Sequence, residues 1–281
     1  MVKIITDTTA ALPPEFSKQH QIPIVPQLIH FEEESYAEGI EMSNDEFMTR
    51  LKSSKELPKT SAPPPDAFVK EFKRLVPFGE PIVCIHPSAE VSGTIRAATV
   101  AAQDFPDADI RIIDTRLVAS PLGSLVKLAV QWASAGESAD TIESRIRDLA
   151  SRSRIYFLVA TLEYLARGGR IGGASALLGS VLQVKPILTL QDGRVESFEK
   201  ERTMKKALGR LKSLVVEQYP QTEDGYLTIM HGDVPEQAQT LANELASELS
   251  LSNIPIFDMP PAIVTHAGPG VLGIGFFTDQ A

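Results

Sequence analysis

Cysteine and long apolar segments are both scarce in this sequence. Cys84, in the apolar run PIVCIHP, is the one cysteine among 281 residues, so no disulfide can form within the chain and a reducing compartment suits it. No apolar run approaches the roughly 18–20 residues that a membrane-spanning helix requires. The opening MVKIITDTTAAL lacks the charged start, long apolar core and cleavage site of a signal peptide. These features predict a cytoplasmic protein in which Cys84 is a buried bystander.

Positive charge is scarce as well. The chain has 27 lysines and arginines against 36 aspartates and glutamates, which gives a net charge of −9. A protein that binds nucleic acid carries an excess of basic residues, so that class of partner is not predicted. The sequence also has no Walker loop, no G-x-G-x-x-G after a strand and no Cys/His cluster at zinc spacing. We therefore predict no nucleotide, metal or other cofactor.

The composition and the order of patterns predict an α/β protein with two domains. An apolar fraction of 43% and a charged fraction of 22% are typical of a soluble globular chain, and the length allows two ordinary domains. In the first half, strand patterns alternate with helical patterns, which favours parallel βαβ units. The strand patterns include VKIIT, QIPIVPQLIHF (broken by Pro23 and Pro26), PIVCIH and DIRIID. We expect an N-terminal domain at residues 1–153 that is built on a parallel sheet.

The second half of the sequence predicts a different order of strands and helices. VKPILTL and RVESFEK read as two strands joined by a turn centred on Asp192-Gly193, and a long helix is predicted from about Thr203 to Tyr219. Hairpins mixed with helices indicate an α+β domain with a mixed sheet, at residues 154–281.

Three short polar motifs lie where strands end or helices begin. They are TDTT (Thr6–Thr9), KTSAPPP (Lys59–Pro65) and HPSAEVSGT (His86–Thr94). In open α/β sheets, ligands bind beyond the carboxyl ends of the strands. We therefore expect these loops to form one shared site.

The hydroxyl groups in these motifs each have a structural and a functional interpretation. Ser92, before Gly93, would cap the following helix, or the helix start would seat an anion that Gly93 allows to approach closely. Thr60 and Ser61 would cap the next helix, or the prolines after them would hold both hydroxyls rigid for a ligand. Asp7 would bond the backbone N–H groups of its loop, or orient a histidine.

The C-terminal stretch VTHAGPGVLG contains the most suggestive histidine. We expect His266 at a strand end, where Gly268 and Gly270 remove side chains around it. The imidazole would be hydrogen-bonded structure, or would donate an N–H to an acid. We expect three other histidines to have no suggestive neighbours, namely His20, His30 and His86.

The segment ARGGRIGG places Arg170 between two glycine pairs. Gly168 and Gly169 could simply end a short helix. Two glycine pairs cost more backbone entropy than a plain surface loop requires, so Arg170 is also a candidate to meet a phosphate, a carboxylate or a partner protein.

Together these motifs resemble the DegV family, whose members bind fatty acids and in many cases serve as the acyl-binding subunit of bacterial fatty acid kinase. The resemblance covers essentially the whole chain. It rests on IITDTTAALP, TSAPPP, SAEVSGT, LEYLARGGRIGGASALLGSVLQVKPILTLQDG and HAGPGVLG, in the family's order. It implies a DegV-like fold of two α/β domains with the acyl chain buried between or beneath them.

The resemblance also implies roles for single residues. Thr60 and Ser92 would hydrogen-bond the carboxylate, with Ser61 and Gly93 beside them and His266 completing the seat. Arg170 would lie on the face presented to the kinase subunit. Three positions depart from the family pattern, where glutamine, serine and serine are replaced by Ala62, Pro64 and Ala89.

The leading hypothesis is a protein that binds a long-chain fatty acid such as palmitate in an apolar tunnel. It would present the carboxylate to an ATP-dependent kinase and catalyse nothing alone. A serine hydrolase or acyltransferase with Ser92, His266 and Asp7 as a triad is the main alternative, although Ser92 lacks the G-x-S-x-G elbow. A module for another acidic lipid or an isoprenoid is the third.

Overall fold

The computed structural model describes residues 1–54, 56–178, 184–220 and 225–279. The chain divides into two compact units. The N-terminal unit is Met1–Ser151 with Pro260–Ala262, and the C-terminal unit is Arg152–Met259 with Ile263–Ala281. Each unit is described by itself. A boundary between independently folding domains after residue 153 stays a prediction.

The N-terminal unit alternates strands and helices over most of its length. Its strands are β1 (Lys3–Asp7), β2 (Ile24–Val25), β3 (Leu28–Phe31), β4 (Glu34–Ala37), β5 (Lys59–Ser61), β6 (Ile82–His86) and β7 (Ile110–Asp114). Its helices are α1 (Pro14–Gln19), α2 (Asn44–Ser53), α3 (Pro65–Leu75), α4 (Thr94–Ala102), α5 (Ala119–Ser134) and α6 (Ala139–Ser151).

These strands form two sheets. Within the described residues the larger sheet has the order β2-β1-β6-β7, and every neighbouring pair is parallel. This confirms the predicted parallel N-terminal sheet. The smaller sheet has the antiparallel order β4-β3-β5. The stretch QIPIVPQLIHF, predicted as a strand broken by Pro23 and Pro26, forms two strands: β2 pairs in the parallel sheet, and after Pro26 the second part, β3, joins the antiparallel sheet. Proline has no N–H for a continuous ladder.

The core of the N-terminal unit lies between β6 and the helices beside it. Cys84 in β6 and two aromatic side chains of α3, Phe68 and Phe72, are fully buried in one apolar cluster. Burial raises the pKa of the Cys84 thiol far above its ordinary value, so this thiol stays protonated.

Helix α5 passes very close to the short turn that follows β1. A methyl group built on Gly123, in this helix, would overlap the carbonyl oxygen of Ala10 in the turn. Glycine at position 123 therefore sets how near α5 can lie to the loop that carries Asp7.

The described strands of the C-terminal unit form a mixed sheet. Its strands are β8 (Ser153–Leu158), β9 (Lys185–Gln191), β10 (Arg194–Glu201), β11 (Thr228–His231), β12 (Ile256–Asp258) and β13 (Leu272–Phe277). The helices are α7 (Glu163–Arg167), α8 (Met204–Gln218), α9 (Pro235–Leu249) and α10 (Pro261–Ala267), of which Pro261 and Ala262 group with the N-terminal unit.

The strand order across the described part of this sheet is β10-β9-β8-β13-β11-β12, with β11 and β12 parallel and the other pairs antiparallel. The predicted mixed sheet is confirmed. The predicted turn is also present, with φ of 50° at Asp192 and 81° at Gly193 between β9 and β10. No helix in the described ranges combines the length and the apolar character needed to cross a bilayer.

Candidate ligand-binding site

Asp7 ends β1 and holds the turn after it. Its Oδ1 accepts hydrogen bonds from the backbone N–H of Thr9, at 3.0 Å, and from Thr9 Oγ1, at 2.5 Å. The carboxylate thereby caps the short 3₁₀ turn at Thr8–Ala10. This is the loop-holding role expected for Asp7.

Asp7 also orients a histidine, and that histidine is His86. The second carboxylate oxygen, Oδ2, lies 2.8 Å from His86 Nδ1, and both side chains are fully buried. The ring of Phe68 meets the imidazole edge-on, with 5.3 Å between ring centroids. The expectation that His86 has no suggestive neighbour was wrong, because its partner lies 79 positions away in the chain.

A chain of hydrogen bonds links Asp7 to Ser92. Gln27, only 3% exposed, donates from Nε2 to Asp7 Oδ1 at 3.1 Å and to Thr94 Oγ1 at 2.9 Å. Thr94 Oγ1 lies 2.8 Å from Ser92 Oγ. We call these four residues the Asp7–Ser92 network: Asp7, Gln27, Thr94 and Ser92. Gln27 and Thr94 were absent from the candidate residues.

The start of α4 differs in detail from the prediction. The N-cap residue is Gly93, and Ser92 lies one position earlier, where its Oγ accepts from the N–H of Thr94 at 3.3 Å. Gly93 is exposed and Ser92 is half-buried. The first turn of the helix is therefore open to a ligand, as the anion-seat interpretation requires.

Thr60 and Ser61 lie in β5 and project from opposite faces of it. Successive side chains of a strand point to opposite sides, and β5 pairs with β3 so that Thr60 is opposite Ile29. Ser61 is exposed, and its Oγ is hydrogen-bonded to Nε2 of His30. His30 therefore has a candidate site residue as its neighbour, contrary to expectation. The two hydroxyls therefore leave the strand on opposite sides.

The end of β5 lies near the start of α4. A Cβ atom built on Gly93 would lie 3.4 Å from the Cβ of Ala62, which is ordinary van der Waals contact. Within the N-terminal unit, the loops predicted to share a site are thus neighbours.

Glu38 is a buried carboxyl group that the sequence analysis missed. Burial raises its pKa to about 7, and hydrogen bonds from the Thr8 hydroxyl and from the backbone N–H of Ala262 partly offset that rise. Thr8 Oγ1 in turn accepts from the backbone N–H of Gln27 at 3.1 Å. Through the Thr8 hydroxyl, the Glu38 carboxyl is therefore linked to the turn that follows Asp7 and to the backbone of Gln27.

In the C-terminal unit, His266 lies in the last turn of α10. The expectation of a strand end was wrong. Pro261 is suited to the first turn of a helix, where its missing N–H has no partner to lose. Gly268, at φ of 79°, supplies the left-handed residue that ends many helices.

The imidazole of His266 packs against Gly168. A Cβ atom on Gly168 would overlap Nδ1 of the ring, so this glycine makes room for the histidine as well as ending α7. Burial, with a smaller contribution from the positive charge of Arg170, lowers the pKa of His266 to about 4. The imidazole is therefore neutral at pH 7 and can donate one N–H.

Arg170, Gly268 and Gly270 each make a close contact within the C-terminal unit. The guanidinium Nη1 of Arg170 donates to the carbonyl oxygen of Gly168 at 2.7 Å. The backbone N–H of Gly270 donates to the carbonyl oxygen of Gly232, also at 2.7 Å. A Cβ atom on Gly268 would overlap the ring of Tyr164. Gly268 therefore packs tightly against α7, and Gly270 is fixed to the residue after β11.

The candidate residues form two local sets. One set, with Asp7, Thr60, Ser61, Ser92 and Gly93, belongs to the N-terminal unit, and the other, with Arg170, His266, Gly268 and Gly270, to the C-terminal unit. That both sets act on one ligand stays a prediction. Across the described ranges, no group of three or more His, Cys, Asp or Glu residues is placed to hold a metal ion.

Comparison with known proteins gives a match over nearly the whole chain. Residues 1–279 match the family described as "Uncharacterised protein, DegV family". A DegV domain-containing protein of Halalkalibacterium halodurans is 33% identical over 280 residues, which cover 99% of each chain.

Solved structures of similar fold include proteins described as binding fatty acids. One is a fatty acid-binding DegV family protein from Thermus thermophilus, with a TM-score of 0.90, 28% identity and 99% coverage of both chains. Another is a stearic acid-binding protein from Eubacterium ventriosum, with a TM-score of 0.88, 27% identity and coverage of 99% of this chain and 98% of that chain.

Proposed function

Because this chain belongs to the DegV family, we propose that it binds a long-chain fatty acid in an enclosed apolar tunnel with the carboxylate at the mouth. The observation that carries the proposal is the TM-score of 0.90 to the fatty acid-binding protein of Thermus thermophilus, over 99% of both chains. The open first turn of α4 beside Ser92 supports it, since a carboxylate needs donors of this kind.

Neutral donors hold the carboxylate in this proposal. The hydroxyls of Thr60 and Ser92 donate to it, with Ser61 and Gly93 beside them, and His266 adds an N–H. A pKa of about 4 for His266 supports a neutral donor at pH 7. Asp7, Gly268 and Gly270 hold the supporting loops.

The tail supplies most of the affinity. At about 0.8 kcal/mol per buried CH₂, the fourteen methylenes of palmitate give an upper estimate of roughly 11 kcal/mol. Each polar contact adds only about 1 kcal/mol net. The polar groups therefore set mainly the orientation of the acid.

Alanine substitutions at the proposed head-group site test the proposal. Thr60→Ala, Ser92→Ala and His266→Ala are each expected to weaken palmitate binding by about 1–3 kcal/mol, because each removes a donor to a charged oxygen. Isothermal titration of delipidated protein measures the loss. Ser213→Ala, an exposed serine of α8, is the control and should bind as the wild type does.

Mass spectrometry of lipid extracted from the purified protein identifies the natural ligand. A long-chain acid supports the proposal. No recoverable acid, together with no binding of added palmitate or oleate, contradicts it. An isoprenoid or a different acidic lipid in the extract would favour the third hypothesis.

We further propose that Arg170 belongs to a face that docks an ATP-dependent kinase subunit, which phosphorylates the bound acid to an acyl-phosphate. Arg170→Ala is expected to leave palmitate binding intact and to lower the rate of acyl-phosphate formation about tenfold or more with such a kinase. Arg147→Ala, an exposed arginine of α6, is the matched control. An unchanged rate in the Arg170 variant would remove this residue from the docking face.

The hydrolase alternative requires Asp7 to orient His266. In the structure, Asp7 Oδ2 bonds His86 and Oδ1 accepts from Thr9 and Gln27. These bonds give Asp7 a structural role of its own. Turnover of p-nitrophenyl esters that disappears in Ser92→Ala would revive the alternative.

A further inference from the structure

We propose that Gln27 is a positioning residue that, through Thr94, turns the hydroxyl proton of Ser92 outward to the ligand. The inference rests on the proposed function, because it assumes that Ser92 donates to a carboxylate. It rests on the Asp7–Ser92 network, in which the donor and the acceptor of each hydrogen bond can be assigned.

Asp7 fixes which atom of Gln27 is the donor. A carboxylate accepts hydrogen bonds, so the atom of Gln27 that faces Asp7 Oδ1 at 3.1 Å is the amide nitrogen. This fixes the orientation of the Gln27 amide group. The same nitrogen carries a second hydrogen, which points to Thr94 Oγ1 at 2.9 Å.

Thr94 is the next residue of the network, and its hydroxyl both accepts and donates. Its side chain is fully buried, so its hydroxyl proton must find an acceptor inside the protein. Thr94 Oγ1 already accepts from Gln27, and the acceptor in reach within the described chain is Ser92 Oγ at 2.8 Å. The Thr94 hydroxyl therefore donates to Ser92.

Ser92 is the open end of the network. Its Oγ accepts from the hydroxyl of Thr94 and from the backbone N–H of Thr94 at 3.3 Å. A serine oxygen has two acceptor lone pairs and one proton, so the proton remains for a group outside. Ser92 is half-buried beside the exposed Gly93, which is where the proposal places the carboxylate.

Without Gln27 the direction can reverse. Thr94 Oγ1 then has an unfilled acceptor position, and the Ser92 hydroxyl can donate inward to it. The carboxylate loses a donor although Ser92 is still present. A Gln27 variant should therefore behave as if Ser92 were missing.

Gln27→Met is expected to weaken palmitate binding about tenfold, as the loss of one hydrogen bond to a charged group does. Thr94→Val removes the acceptor to which the Ser92 hydroxyl could turn, so the double variant Gln27→Met with Thr94→Val should bind palmitate more tightly than Gln27→Met alone. Thr94→Ser keeps the hydroxyl and should bind palmitate as the wild type does. Thr6→Val is the control, because it removes another buried hydrogen bond of β1, from Thr6 Oγ1 to the carbonyl oxygen of Ile85 at 2.8 Å, outside the network.

Two readouts separate positioning from a general structural role. Hexadecanol keeps the tail and lacks the carboxylate, so its affinity should be the same in the wild type, Gln27→Met and Thr94→Val. Combining Gln27→Met with Ser92→Ala should weaken palmitate binding no further than Ser92→Ala alone. Circular dichroism and thermal melting establish that each variant is folded. If Gln27→Met does not fold, Gln27→Leu takes its place.

Different results would contradict the positioning role of Gln27 and the proposed fatty acid binding. Wild-type affinity for palmitate in Gln27→Met, additive losses in the double variant, or an equal loss for hexadecanol would each overturn the positioning role and leave fatty acid binding standing. A wild-type protein that binds no palmitate would overturn the proposed function and this role with it.

Discussion

Replacing palmitate by decanoate is expected to weaken binding by about 5 kcal/mol, or several thousandfold. The change removes six methylenes, each contributing about 0.8 kcal/mol when it is buried. The carboxylate is the same in both acids, so its contacts with the protein should not change. Isothermal titration of delipidated wild-type protein with both acids measures the difference.

A second comparison isolates the tail from the head group. The difference between palmitate and decanoate should be the same in Ser92→Ala as in the wild type, because Ser92 contacts only the carboxylate in our proposal. Equal affinities for the two acids would contradict an enclosing tunnel. They would place the binding energy in the polar groups instead.

Gly123→Ala is expected to lower the free energy of unfolding by about 3 kcal/mol or more. The added methyl group would overlap the carbonyl oxygen of Ala10, and backbone atoms cannot move away as a flexible side chain can. Either α5 or the turn after Asp7 must shift. Urea denaturation followed by circular dichroism measures the change.

Gly209→Ala is the matched control for this substitution. Gly209 lies inside α8, is exposed, and has no neighbouring atom within 4 Å of the position of the added methyl. Alanine there should stabilise the protein by up to about 1 kcal/mol, because glycine is the poorer helix former. If Gly123→Ala matched the control, the close approach of α5 to the turn would be refuted.

Local signals were enough to predict much of the fold. The turn at Asp192-Gly193 joins β9 and β10 as predicted. Thr203 accepts a hydrogen bond from the N–H of Lys206 and so caps α8 at the residue where the helix was expected to begin. Each of these features depends on residues within a few positions of one another, which is the range that sequence patterns report.

The polar network could not be predicted in the same way. Gln27 bonds to Thr94, which is 67 positions away, and no local pattern distinguishes a buried glutamine from one on the surface. Asp7 was expected to hold its loop or to orient a histidine, and the parallel pairing of β1 with β6 brings His86 beside it. Long-range partners follow from the sheet order, which the sequence gives only in outline.

His266 shows how a local signal can be misread. The β-branched residues of the AIVT run before it favoured a strand, whereas Pro261 and Gly268 favoured a helix. The structure follows the proline and the glycine. The residues at the two ends of this segment therefore decide its structure more than the residues in its interior.

The burial of Cys84 has a practical consequence for all of these measurements. The thiol is fully buried and burial holds its pKa far above neutral, and alkylating reagents react with the thiolate. The native cysteine of the folded chain is therefore not expected to react with maleimide reagents. A cysteine introduced at an exposed position can carry a fluorophore or a spin label without first removing the native one.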